Sequence, residues 1–192
     1  MAVTEAVVSG GTFGDRPLDC GEMDAYLAIV SKREVRQYAD RPIPGDVRRR
    51  ILEAGRIAGS SQNSQRRRFV VVESPDARER LAETVWVPGN ITGAGLLVAI
   101  VVEGRGPLAF DAGRAAQNMM LAAWNDGVGS CPNGTSDPDG AKEVLRIGAD
   151  ESIAIILSFG YPARPVDPES RSPEEWIERA NRRPFDEVVE TI

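Results

Sequence analysis

Residues 96–102, Leu-Leu-Val-Ala-Ile-Val-Val, form an unbroken apolar run of seven. That is far short of the ~18 apolar residues a membrane helix needs, and no segment of the sequence reaches that length. Rich in β-branched side chains and closed by Gly104 and Gly106, the run reads as a buried strand. Residues 68–73 and 152–158 carry the same signature, the latter stopped by Gly160 and Pro162. Buried strands need other elements to cover them.

The covering elements are helices. Asp24 is placed to cap one running to about Arg33, with Tyr26, Leu27 and Val30 on one side. Pro44-Gly45-Asp46 opens a second, where Val47, Ile51, Ala54 and Ala58 recur at helical spacing. Pro75 to about Val85 reads as a third. Residues 108–126 give the longest helix, ended at Gly127. Rich in Ala and Met and apolar on several faces, it must be enclosed by the core or by a second subunit. Asp137-Pro138 starts another helix, and Ser172-Pro173-Glu174-Glu175 fits a capping box. Pro184 blocks continuation of that last helix, and Val188-Val189 is expected to pair as an edge strand. Without strict strand–helix alternation, the expected class is an α+β sheet covered by helices.

Composition narrows the chemistry. The chain has no His, which removes Ser-His-Asp and Cys-His catalysis and His-ligated zinc. Its two cysteines, Cys20 and Cys131, are too few for a Cys-rich metal site and suit a reducing compartment, so a cytoplasmic location is expected. A net charge of −6 argues against nucleic-acid binding. Residues 1–22 have neither a basic, apolar signal pattern nor an Arg-rich transit pattern. They read as a flexible arm, or as a leader ahead of Met23, leaving 23–192 as one domain.

Three clusters stand out. Lys32, Arg33 and Arg36 lie at a helix end, with Arg33 and Arg36 one turn apart. Converging cations suit a phosphate monoester; a solvated helix end has the same pattern. Residues 59–65, Gly-Ser-Ser-Gln-Asn-Ser-Gln, form a polar loop. Its amide side chains can donate and accept toward a planar heterocycle, and an ordinary turn would use the same residues. Residues 127–134 hold glycines that admit close backbone approach to a flat ligand. Cys131, with no His to activate it, reads as a small buried thiol. Trp86, Trp124 and Trp176 read as core or interface residues. Arg66-Arg67-Arg68 reads as a solvated strand entry, although one of them could reach an anionic substrate.

Taken together, these pieces resemble the FMN-dependent nitroreductase family. Residues 31–38, Ser-Lys-Arg-Glu-Val-Arg-Gln-Tyr, followed by Arg41-Pro42-Ile43-Pro44, are similar to that family's opening basic block. Residues 51–58 lead into Asn63-Ser64-Gln65 as its Ala-rich helix leads into an Asn-Ser-Gln loop. Residues 111–131 resemble its central helix and Gly-Ser-Cys turn, 155–162 its Gly-Tyr-Pro strand, and 183–187 its closing motif.

The resemblance implies a nitroreductase-like three-layer sandwich, with a mixed, mostly antiparallel sheet and the long central helix at a homodimer interface. It implies FMN bound between subunits and NAD(P)H as co-substrate. Lys32, Arg33 and Arg36 would hold the phosphate, Asn63 the pyrimidine edge of the flavin, and Arg183 a further phosphate contact. The backbone of Pro132, Asn133 and Gly134 would lie against the ring. The implied reaction passes a hydride from NAD(P)H through flavin N5 to an electron-poor acceptor such as a nitroaromatic or quinone, in ping-pong fashion. That needs no catalytic side chain and no metal, which suits a chain without His. The same flavin fold also serves dehalogenation, ring dehydrogenation or flavin fragmentation, and a flavin-sequestering dimer blocked by Arg66 or Arg67 is a further alternative. Three departures from the family pattern bear on the site: Glu34 stands where a small hydroxyl is usual, Gly59 replaces a Pro, and Arg66-Arg67 replaces Pro-Trp.

Overall fold

A computed structural model describes residues 23–192, so the arm or leader expected over 1–22 lies outside the described residues. In chain order the elements are α1 (Ala25–Ser31), α2 (Gly45–Arg56), β1 (Arg67–Val71), α3 (Pro75–Ala82), α4 (Gly89–Thr92), β2 (Leu96–Glu103), α5 (Leu108–Asn125), β3 (Gly129–Asn133), α6 (Pro138–Leu145), β4 (Glu151–Gly160) and α7 (Pro173–Arg179).

The apolar run is β2, and its lack of alternation has a simple cause: both faces are covered. Leu96, Val98, Ile100 and Val102 pack with Val47 and Ile51 of α2 and with Ala115 and Met119 of α5. Leu97 and Ala99 point the other way, into a core with Leu81 of α3, Ile91 of α4 and Leu145 of α6. The result is three layers, helix–sheet–helix. The sheet order is β1-β2-β4-β3, and every neighbouring pair is antiparallel. One isolated parallel bridge joins Glu34 to Ser130.

Local chemistry fixes the helix ends. The Asp24 carboxylate accepts from the Tyr26 and Leu27 amides at 2.9 and 3.1 Å. Ser172 and Glu175 form the reciprocal capping box. Gly127, just past α5, takes φ +71°, the left-handed turn that stops the helix. Close helix approach also has a local cause: a Cβ at Gly55 would stand 2.7 Å from Met119 Sδ, so the glycine lets α2 sit against α5.

Three expectations change. In α1 the buried residues are Ala28 and Ser31, whose hydroxyl accepts from Trp124 Nε1 at 3.0 Å, while Tyr26 faces outward. The short helix bends this face toward α5 rather than toward the sheet. Within the glycine-bearing segment 127–134, which the family resemblance sets as a turn up to Cys131, residues 129–133 form strand β3. Its glycine makes room for another segment: a Cβ at Gly129 would lie 2.5 Å from Val35 Cγ2, and one at Gly160, its partner across the ladder, 2.7 Å from Tyr38. Finally, Val188 and Val189 pair with no strand among the described residues; a short turn at Phe185–Glu187 precedes them and both are exposed.

Candidate functional site

Segment 32–38 crosses the edge of β3, tied there by Val35 N–H donating to Ser130 O at 2.9 Å. This places the predicted basic cluster over the strand. Lys32 caps the end of α1; its side chain is only 7 % exposed, and Nζ lies 2.6 Å from Glu34 Oε1 and 3.6 Å from Met120 Sδ on α5. Arg33 turns away. Its guanidinium donates to the Val30, Lys32 and Trp176 carbonyls at 2.8, 2.9 and 2.8 Å and lies 5.2 Å from the Trp176 ring centre. Burial pushes its pKa down, helped by repulsion from Arg182 and Arg179. Arg36 is exposed and has no ion-pair partner among the described residues.

The charges of Arg36, Glu34 and Lys32 all reach Cys131. Burial pushes the Cys131 thiol up, against the pull of Arg36, and the group is protonated at neutral pH. The reading of Cys131 as a small buried thiol holds. Tyr38 is also pushed up by burial, and its hydroxyl lies 3.0 Å from Ser158 Oγ.

The amide loop is held open by its backbone. Gln62, Asn63 and Gln65 adopt φ of +53°, +53° and +51°, a conformation costly for residues other than Gly and cheapest for Asn. Ser61 N–H donates to the buried Asp111 carboxylate at 3.1 Å, and Gln65 N–H to Ser60 Oγ at 2.9 Å. The side-chain amides of Gln62, Asn63 and Gln65 make no hydrogen bond within the described residues and stand exposed. Gly59 lies under Arg114, where a Cβ would stand 2.6 Å from a guanidinium nitrogen. The sequence reading missed Asp111 and Arg114; an acid in the first turn of a long helix was the available signal.

At the end of β3, the Asn133 side chain is fully used inside the protein. It donates to Cys131 O, Ile156 O and Ser158 Oγ and accepts from Asn90 Nδ2 at 2.9 Å. Only the backbone of this strand end is free to meet a ligand, with Pro132 and Gly134 exposed. The Gly134 carbonyl accepts from Trp86 N–H at 3.4 Å, and Trp86 itself is 74 % exposed beside it. Trp124 and Trp176 are core residues. Arg183 is exposed on the tail beyond α7.

The arginines at the start of β1 bend back onto their own chain. Arg66 donates to Arg105 O at 2.7 Å, Arg67 to Ala58 O, and Arg68 grips the Glu151 carboxylate with two bonds of 2.6 and 2.7 Å. Of the three only Arg68 is ion-paired, and Arg67 Nε and Nη1 are buried without a partner among the described residues.

Helix α5 links these parts. Its turn at Asp111 holds the amide loop and its turn at Met120 supports Lys32. Nine residues of α-helix separate the two, roughly 14 Å. An apolar groove of about 480 Å³ runs along the same stretch, lined by Ala109, Ala112, Gly113, Ala116 and Met120 with Ile155 of β4. The amide loop and Lys32 thus meet α5 at separate turns, and neither lines the groove. No helix of the described residues is long and apolar enough to cross a membrane.

Residues 24–192 match the family model described as "Putative TM nitroreductase". A Thermus thermophilus protein named "NADH dehydrogenase" is 25 % identical over 194 residues, covering 81 % of this chain and 95 % of its own. A solved structure from Desulfovibrio desulfuricans, titled "putative nitroreductase in complex with FMN", superposes with a TM-score of 0.73 at 27 % identity, over 87 % of this chain and 96 % of that one. A nitroreductase family protein from Clostridium difficile shares the fold, with a TM-score of 0.73 at 23 % identity over 88 % of this chain and 98 % of that one.

Proposed function

Because the chain belongs to the nitroreductase family, we propose that it is an NAD(P)H-dependent flavin oxidoreductase that works on bound FMN, in the cytoplasm, as a homodimer. The observation that carries this reading is the placement of the unspent amides at 62–65 and of Lys32 against two turns of α5, with Arg36 exposed in the same segment as Lys32. That donor set fits a heterocycle bearing carbonyl and N–H groups joined to a phosphate.

FMN, when bound, would supply hydride-transfer chemistry between NAD(P)H and an electron-poor acceptor such as a nitroaromatic or a quinone. The chain's own residues bind and orient. Lys32 and Arg36 would hold the phosphate, with Arg33 adding charge from the α7 side and Arg183 a further contact. Asn63 would meet the pyrimidine edge, and the backbone of 132–134 would lie against the ring from the partner subunit. The exposed face of α5, with Phe110 66 % exposed, is the surface we assign to the second copy. Arg66 and Arg67 are tied to carbonyls, which favours an open, reactive site over a blocked one.

The test is anaerobic titration with NADPH, then with a quinone. The reading predicts that flavin colour bleaches and returns stoichiometrically. A protein saturated with FMN whose colour neither NADH nor NADPH can bleach would overturn it.

A further inference from the structure

We infer that Glu34 determines how strongly this site discriminates between phosphorylated and unphosphorylated flavin. The inference rests on the flavin reading above and deepens it.

Of the three cations expected at the phosphate from the 32–36 cluster, the structure leaves one without a carboxylate or carbonyl partner among the described residues. Lys32 Nζ is held by Glu34 Oε1 at 2.6 Å, in a spot where the lysine is 7 % exposed and the carboxylate 37 %. Arg33 spends three N–H bonds on carbonyls and stacks on Trp176. Only Arg36 is exposed without an ion-pair partner among the described residues. Lys32, Glu34 and Arg36 together carry one net positive charge. A phosphate monoester brings close to two negative charges at neutral pH. Where it takes that position on Lys32 it displaces the Glu34 carboxylate, and in any case it sits beside that charge.

Such displacement exchanges one charge-assisted hydrogen bond for another of similar strength, so much of the lysine's attraction for phosphate is offset in advance. Riboflavin, which lacks the phosphate, meets no such competition. Glu34 thus acts as a specificity-determining residue: the native protein holds FMN and riboflavin with affinities that differ by no more than about tenfold, less than two unopposed charge-assisted bonds would give.

The experiment compares FMN and riboflavin dissociation constants, read by quenching of flavin fluorescence, in the native protein and in Glu34→Gln. Glutamine keeps the length and the backbone bridge to Ser130 while removing the charge. Tightening of FMN by about tenfold or more, with riboflavin within about twofold, is expected. Glu34→Ser, which deletes the competing group, serves as the second variant, and a circular-dichroism melt checks that each variant folds. Equal effects on the two flavins, no effect on either in folded variants, or a native preference for FMN well above about tenfold would overturn the inference. Failure of the native protein and both variants to bind either flavin would instead overturn the flavin reading itself.

Discussion

Arg36 and Cys131 show how one position fixes the chemistry available to its neighbours. Arg36 is the cluster's exposed cation, facing a thiol that burial keeps protonated. Arg36→Ala should weaken FMN about tenfold, the worth of one charge-assisted bond, and leave riboflavin nearly unchanged; equal retention of FMN in the variant would remove this residue from the phosphate contact. In a Cys20→Ser background, Cys131 should resist alkylation by iodoacetamide in the folded protein and react once the protein is unfolded. Fast native labelling would contradict its burial. At this scale the sequence was readable where a residue type has few uses. A lone Cys without His is one such case, and Asp24 before a helix is another. It was not readable for Arg33, whose identity suits phosphate but whose donors go to the carbonyls of Val30, Lys32 and Trp176. Which partner an arginine takes is decided by tertiary packing.

Strand β3 shows the same limit for an element. Gly129 reads as admitting close approach to a flat ligand, yet it lies in a ladder opposite Gly160. Steric room explains it: Val35 and Tyr38 occupy the places where the two Cβ atoms would be. Helices with caps and periodic stripes, and strands with apolar runs, were legible because local chemistry and burial agree. β3 was not, since its reason is a segment a hundred residues away in the chain. Gly129→Ala should therefore cost about 1–3 kcal/mol through overpacking, lowering the melting temperature by several degrees. It should also weaken flavin binding, because Val35 must shift and carries Lys32 and Arg36 with it. A variant with native melting and native affinity would contradict this account of the strand.

For the whole molecule, the sheet's acid stability has a named contributor. Hydrogen bonds from Arg68, then from the Gly148 N–H, hold the Glu151 carboxyl down to about 2 from its ordinary 4.5. A depressed carboxyl contributes its full stability above its unfolded pKa and loses it as pH falls toward the folded value. The melting temperature should thus fall between pH 4.5 and about 2, and Arg68→Gln should flatten part of that fall; identical profiles would remove the pair from the account. In the proposed reading assembly and cofactor meet at the same scale, because the exposed face of α5 and the backbone end of β3 would both face a second copy. The most direct measurement is size-exclusion chromatography of the FMN-saturated protein, recorded at a flavin and a protein wavelength together. The account predicts coincident peaks at the volume of two chains, with one flavin per chain. A single-chain peak that sheds its flavin into the low-mass fraction would contradict it.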